Sequence, residues 1–178
     1  MKRLFVVLIS TIVFLFACKK EITIRTSGTD TINNTIHPNG PAYYVLGFSF
    51  SQAKLMQESE NSASKPDIVL LRNLDNAISP LILQANNRPP SFLKIDEYDT
   101  EEEEAKTAFN NLKTVPEGEW IEMINPVAPN QVWVYMSNNE KHTKFRIVSI
   151  INEMRENIPY GECTFQWVHQ PDGSVNFP

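Results

Sequence analysis

The chain has 178 residues, with 16 Lys+Arg against 21 Asp+Glu, a formal net charge of −5, 42% hydrophobic and 10% aromatic residues. That aromatic content supplies a core and excludes wholesale disorder. Only 6 Gly exclude a Gly-rich fibre, and an acidic balance without a Lys/Arg cluster among aromatics argues against nucleic acid as a partner. Three His and 2 Cys leave little room for a structural zinc site.

Lys2 and Arg3 precede an apolar run, Leu4 to Phe16, broken only by Ser10 and Thr11. This is the pattern of a secretory signal peptide over residues 1–17. The run is too short for a membrane-spanning helix of about 20 residues. Leu15-Phe16-Ala17-Cys18 looks like a bacterial lipobox. That resemblance implies cleavage after Ala17 and lipid attachment, with palmitate among the acyl groups, at Cys18. The plainer alternative is a cleaved signal followed by an incidental Cys. Lys19, Lys20 and Glu21 partly match a surface-export pattern, and no Asp follows Cys18. The expected location is the outer membrane, held by the N-terminal lipid, with either leaflet open and the cell surface included. With Cys18 acylated, Cys163 is the remaining thiol.

Residues 18–41 are rich in Thr, Asn, Gly and Pro and lack apolar periodicity, so they read as a flexible tether with His37 solvated in it. The domain is expected over 42–178. Tyr44, Leu46, Phe48 and Phe50 alternate with Tyr43, Val45, Gly47 and Ser49, which predicts a strand with one apolar face. Ser51 to Lys65 reads as a loop. Asp67 to Leu71 and Leu81 to Leu83 are short apolar runs consistent with buried strands, and Phe92 to Ile95 forms another. Thr100 and Glu103 make a capping box. Ala105, Ala108, Phe109 and Leu112 then share one helix face, so a helix is predicted near Glu101 to Leu112.

The last third is dense in strands. Trp120 to Ile124, Val132 to Met136 and Thr143 to Ile151 are predicted strands, the last with Phe145, Ile147 and Ile151 on one face. Cys163, Phe165, Trp167 and His169 alternate with Thr164, Gln166 and Val168. Pro171-Asp172-Gly173 is a turn, with Val175 and Phe177 as a short final strand. The fold class is therefore all-β, an antiparallel sandwich or curled sheets with one short helix.

Several stretches, in order, resemble the HmuY-like family of Bacteroidota heme-binding surface lipoproteins. They are Phe48-Ser49-Phe50-Ser51, Lys65-Pro66-Asp67-Ile68, Val115-Pro116 and Gly118-Glu119-Trp120-Ile121-Glu122. Pro126 and Pro129 ahead of Val132-Trp133-Val134, and Asn138-Asn139-Glu140 ahead of Lys144-Phe145-Arg146-Ile147, continue the match. Gly161 to Trp167, with Gln170-Pro171-Asp172-Gly173-Ser174, closes it. The resemblance implies an all-β HmuY-like domain without enzymatic activity, a lipid anchor, and a ligand cradle built by loops at one end of the sheets. It implies heme as the cofactor, its iron held by His or Met side chains. Asn125 stands near one family ligand position, which leaves Met123 or a distant His to hold iron.

Each candidate has a bland counterpart. Met123 is a heme ligand or core filler. His142, beside Lys141 and Lys144, reads as exposed, and His169 as a satisfied structural residue. Cys163 reads as a buried small hydrophobe. Asp96, Glu97, Asp99 and Glu101 to Glu104 suit calcium by charge, yet lack an Asp-x-Asp-x-Asp-Gly loop and read as a solvated face. No Gly-x-Ser-x-Gly, His-Glu-x-x-His or phosphate-cradling Gly loop is present. Three functions follow: a heme or small-ligand binder, a ligand-free interaction scaffold of the cell envelope that contacts envelope or host proteins, and a carboxylate hydrolase. The resemblance favours the first two.

Overall fold

The computed structural model describes residues 24–39, 42–58, 65–72, 79–86 and 89–178. Cys18 and the signal and lipobox segment lie outside the described residues. Among the described residues twelve strands and one helix follow in chain order: β1 Ser27–Asn33, β2 Ile36–Asn39, β3 Ala42–Ser49, β4 Lys54–Glu58, β5 Ile68–Arg72, β6 Leu81–Ala85, β7 Phe92–Glu97, α1 Glu102–Asn111, β8 Trp120–Ile121, β9 Met123–Ile124, β10 Gln131–Met136, β11 His142–Arg155 and β12 Ile158–Gln170. One sheet has the order β1-β12-β11-β10-β7-β8. The other is β2-β3-β5-β6-β9, with β4 also paired to β3. All pairings are antiparallel. The expected all-β sandwich with one short helix is what forms.

The period-two apolar faces make the core. Phe48 and Phe50 continue from β3 into edge-on or tilted contact with Phe165 and Trp167 of β12, at centroid distances of 5.3 to 6.0 Å. Tyr135, Phe145 and Phe92 complete the aromatic layer. Removing one such ring typically costs about 3–5 kcal/mol. The helix lays Ala105 and Phe109 against Val132, as its predicted face requires.

Several expectations are corrected. The tether does not run through 27–39, because β1 pairs along its whole length with β12 and β2 pairs with β3. β1 buries only Ile32 fully, so its sequence carries almost no hydrophobic signal. Main-chain pairing holds it, together with a Thr31–Thr164 hydroxyl pair at 2.9 Å and the Trp167 indole N–H donating to Asp30 at 2.7 Å. His37 stacks on Tyr44 at 5.1 Å rather than standing free in a linker. Part of the 51–65 loop is β4, a strand at the edge of its sheet.

The capping box does not form: Glu101 is the N-cap and makes no side-chain cap bond. Trp120 to Ile124 splits into β8 and β9, which pair with different sheets. A register shift between Ile147 and Ser149 turns Ile150 toward the core opposite Cys163 and leaves Ile151 exposed. The final strand reduces to one bridge, Thr114 to Asn176, although Phe177 is buried. His142 is buried rather than exposed, near the Trp120 ring.

Lys144 shows how a strand can complete a helix. Its ammonium donates to the carbonyls of Phe109 and Leu112 at 3.0 and 2.9 Å, satisfying the C-terminal end of α1. It also lies over the Phe109 and Phe177 rings.

Candidate functional site

The ends of β3, β10 and β12 and the start of β5 meet at one end of the sandwich and frame a cleft of about 330 Å³. Residues from four chain segments line it: Ser49, Ser51 and Gln52; Lys65 and Asp67; Tyr135, Ser137, Asn138, Asn139 and Lys141; and His169.

Local chemistry fixes each wall. Gly47 lets the chain entering β5 come close, since a Cβ there would sit 2.4 Å from the Ile68 carbonyl oxygen and 2.6 Å from Pro66. That approach delivers Asp67 beneath the cleft. Its Oδ2 accepts the Phe50 amide at 2.8 Å and the Ser49 hydroxyl at 3.2 Å. Its Oδ1 accepts the Tyr135 hydroxyl at 3.2 Å. One buried carboxylate thus ties β3 and β5 to β10 of the opposite sheet.

The β10–β11 turn forms the opposite lip. Ser137 and Lys141 close it through a backbone bond of 3.0 Å, and the Lys141 amide also donates to Ser137 Oγ at 3.2 Å. Glu140 takes a left-handed conformation there, with φ of 56°. Asn138 and Asn139 consequently stand exposed at the mouth.

His169 closes the inner wall. It is only 6% exposed, and its Nδ1 lies 2.8 Å from Thr143 Oγ1 on the paired strand. Its Nε2 is buried and has no hydrogen-bond partner among the described residues. Burial, then the Lys141 charge, lowers its pKa to about 4, so the ring is neutral at pH 7.

The other candidates lie elsewhere. Met123 sits on the two-residue strand β9 opposite Gln84, 39% exposed, and is not part of the cleft. It is therefore not core filler. Asn125 is exposed. Cys163 is fully buried, and burial pushes its thiol up to about 12, too high for a nucleophile. Glu101 to Glu104 are exposed. Glu97 is held below the usual carboxylate range chiefly by the Lys94 ammonium that donates to it. Among the described residues no group of three His, Cys, Asp or Glu side chains is arranged for a metal ion.

Heme does not fit this cleft. Its lining is hydroxyl, amide, ammonium, imidazole and carboxylate, with the Tyr135 and His169 rings as its aromatic residues and no Met. A flat apolar macrocycle requires apolar walls. The sequence pattern marks His169 as a satisfied structural residue and does not single out Asp67 or the two lysines. The one signal that bore on them was the run Lys65-Pro66-Asp67-Ile68, legible only as a strand opening. In comparisons with known proteins, no family model and no curated protein matches the chain.

Proposed function

We propose that this chain is an outer-membrane-anchored, noncatalytic lipoprotein of HmuY-like type that binds a small polar ligand at the loop end of its sandwich. The observation that carries the binding reading is the His169 ring, buried beside a polar cleft with an unpartnered Nε2. A buried polar atom left unpaired costs about 1–3 kcal/mol, a cost that a ligand relieves when it binds. The anchor rests on Leu15-Phe16-Ala17-Cys18, and the family type on the ordered stretches from Phe48 to Ser174. The noncatalytic reading is supported by the wiring of the cleft. Asp67 is occupied by protein donors, and His169 bonds Thr143 rather than a hydroxyl at the mouth.

One observation favours an interaction scaffold as second reading. Beyond Ile151 the β11–β12 hairpin extends past β10 and β1, with Met154 and Ile158 exposed along it and Ile151 exposed at its base. Hemin titration of the acylated protein in detergent, followed in the Soret region, separates heme from a polar ligand. The expected result is no tight six-coordinate species. A tight six-coordinate complex abolished by Met123→Ala would overturn the polar-ligand reading and assign the iron to Met123.

A further inference from the structure

The cleft presents donors. Thr143 is fully buried, and among the described residues its hydroxyl meets only His169 Nδ1. A buried hydroxyl places its proton on an acceptor. The hydrogen-bond network therefore assigns Thr143 as donor to Nδ1, and the neutral ring carries its proton on Nε2. That N–H is buried behind the cleft wall and has no partner among the described residues.

Lys65 and Lys141 add two ammonium groups, and neither is ion-paired among the described residues. Asp67 is the only acid in the lining, and both of its oxygens accept protein donors. With His169 neutral, the lining holds one net positive charge. Ser51, Asn138 and Asn139 add hydroxyl and amide groups that both donate and accept.

Charge, donor count and size restrict the occupant. One net positive charge matches a monoanion better than a dianion. A volume of about 330 Å³ lies at the small end of the roughly 300–1,000 Å³ typical of small-molecule sites. More of the lining is polar than apolar, so the ligand needs hydroxyls or charged oxygens on much of its surface. We propose that the cleft binds a small hydroxylated monocarboxylate, of the size of one sugar acid. Its carboxylate lies between Lys65 and Lys141 against the His169 wall, while its hydroxyls meet Ser51, Asn138 and Asn139. This rests on the reading of the loop-end cleft as the ligand site.

The test is calorimetric titration of the acylated protein in detergent with galacturonate, galactose and inorganic phosphate. Lys65 is exposed and Lys141 half-buried, so the double variant Lys65→Gln/Lys141→Gln keeps the fold. Galacturonate is expected to bind on the order of ten-fold more tightly than galactose, because charge-assisted bonds are about twice as strong as neutral ones. The double variant is expected to erase that preference, and His169→Phe to weaken galacturonate binding with an unchanged circular dichroism spectrum. Equal binding of galactose and galacturonate, or a double variant that keeps the preference, overturns the proposal. Phosphate binding more tightly than galacturonate, and weakened by the double variant, overturns the carboxylate while keeping the cleft as a ligand site. Failure of all three probes to bind overturns both.

Discussion

Replacing Asp67 by Ala isolates the link between the two sheets. The carboxylate is 7% exposed, and its three mapped donors belong to Ser49, Phe50 and Tyr135, each 2% exposed or less. Ser49 keeps Ser51 as an alternative partner at 3.3 Å, so its loss is small. The Phe50 amide and the Tyr135 hydroxyl each lose a bond to a charged acceptor, worth about 1.5–3 kcal/mol apiece. Asp67→Ala is therefore expected to lower the unfolding free energy by about 3–5 kcal/mol. Urea denaturation followed by tryptophan fluorescence reads this directly. Tyr135→Phe supplies the control: it should cost about 1–2 kcal/mol alone and much less in the Asp67→Ala background, since the shared bond is already gone. A loss below about 1 kcal/mol for Asp67→Ala, or full additivity of the two variants, would refute the role of Asp67 as the pin between sheets.

Two further outcomes follow from the structure. Burial, then the Lys113 charge, lowers the Lys144 pKa from 10.5 to about 8, so between pH 8 and 10.5 the unfolded chain binds more protons and stability rises with pH. Lys144→Met should flatten that rise and cost about 1–3 kcal/mol below pH 8 by leaving the Phe109 and Leu112 carbonyls unpaired; a variant whose melting temperature keeps the wild-type slope between pH 8 and 10.5 would exclude Lys144 as its source. Cys18→Ser should leave uncleaved precursor or release soluble protein, read by membrane fractionation, and a processed variant still acylated in the outer membrane would sink the lipobox reading.

Elements that bury one face strongly were legible in the sequence. Phe48 and Phe50, Phe145 and Ile147, and Cys163, Phe165, Trp167 and His169 alternate in the chain, and all point inward. The same rule failed where pairing rather than burial makes the strand. β1 places Thr29 outward and buries only Ile32, so it reads as a polar linker until β12 is beside it. Ile151 failed for a different reason: one extra residue between Ile147 and Ser149 inverts the alternation beyond it, and no residue type marks that bulge. His142 was misjudged because its charged neighbours Lys141 and Lys144 suggested a solvated edge. Lys144 is itself buried against a helix end, which no local pattern discloses.

The cleft was the least legible feature, because its residues come from segments more than a hundred positions apart. Ser49 and His169 become neighbours only after β3, β5, β10 and β12 are aligned. Its polar groups then divide into two sets that composition cannot distinguish. Asp67 and Thr143 are committed to the protein, one joining the sheets and the other fixing the His169 ring. His169, Lys65 and Lys141 line the cleft, and among the described residues His169 Nε2 has no partner and neither lysine is ion-paired. Thr143 holds the His169 ring in place before any ligand arrives, so that wall of the cleft loses little ordering free energy on binding. A short polar cleft of this kind gains affinity through fixed donors rather than buried area, which favours a small charged occupant over a large apolar one.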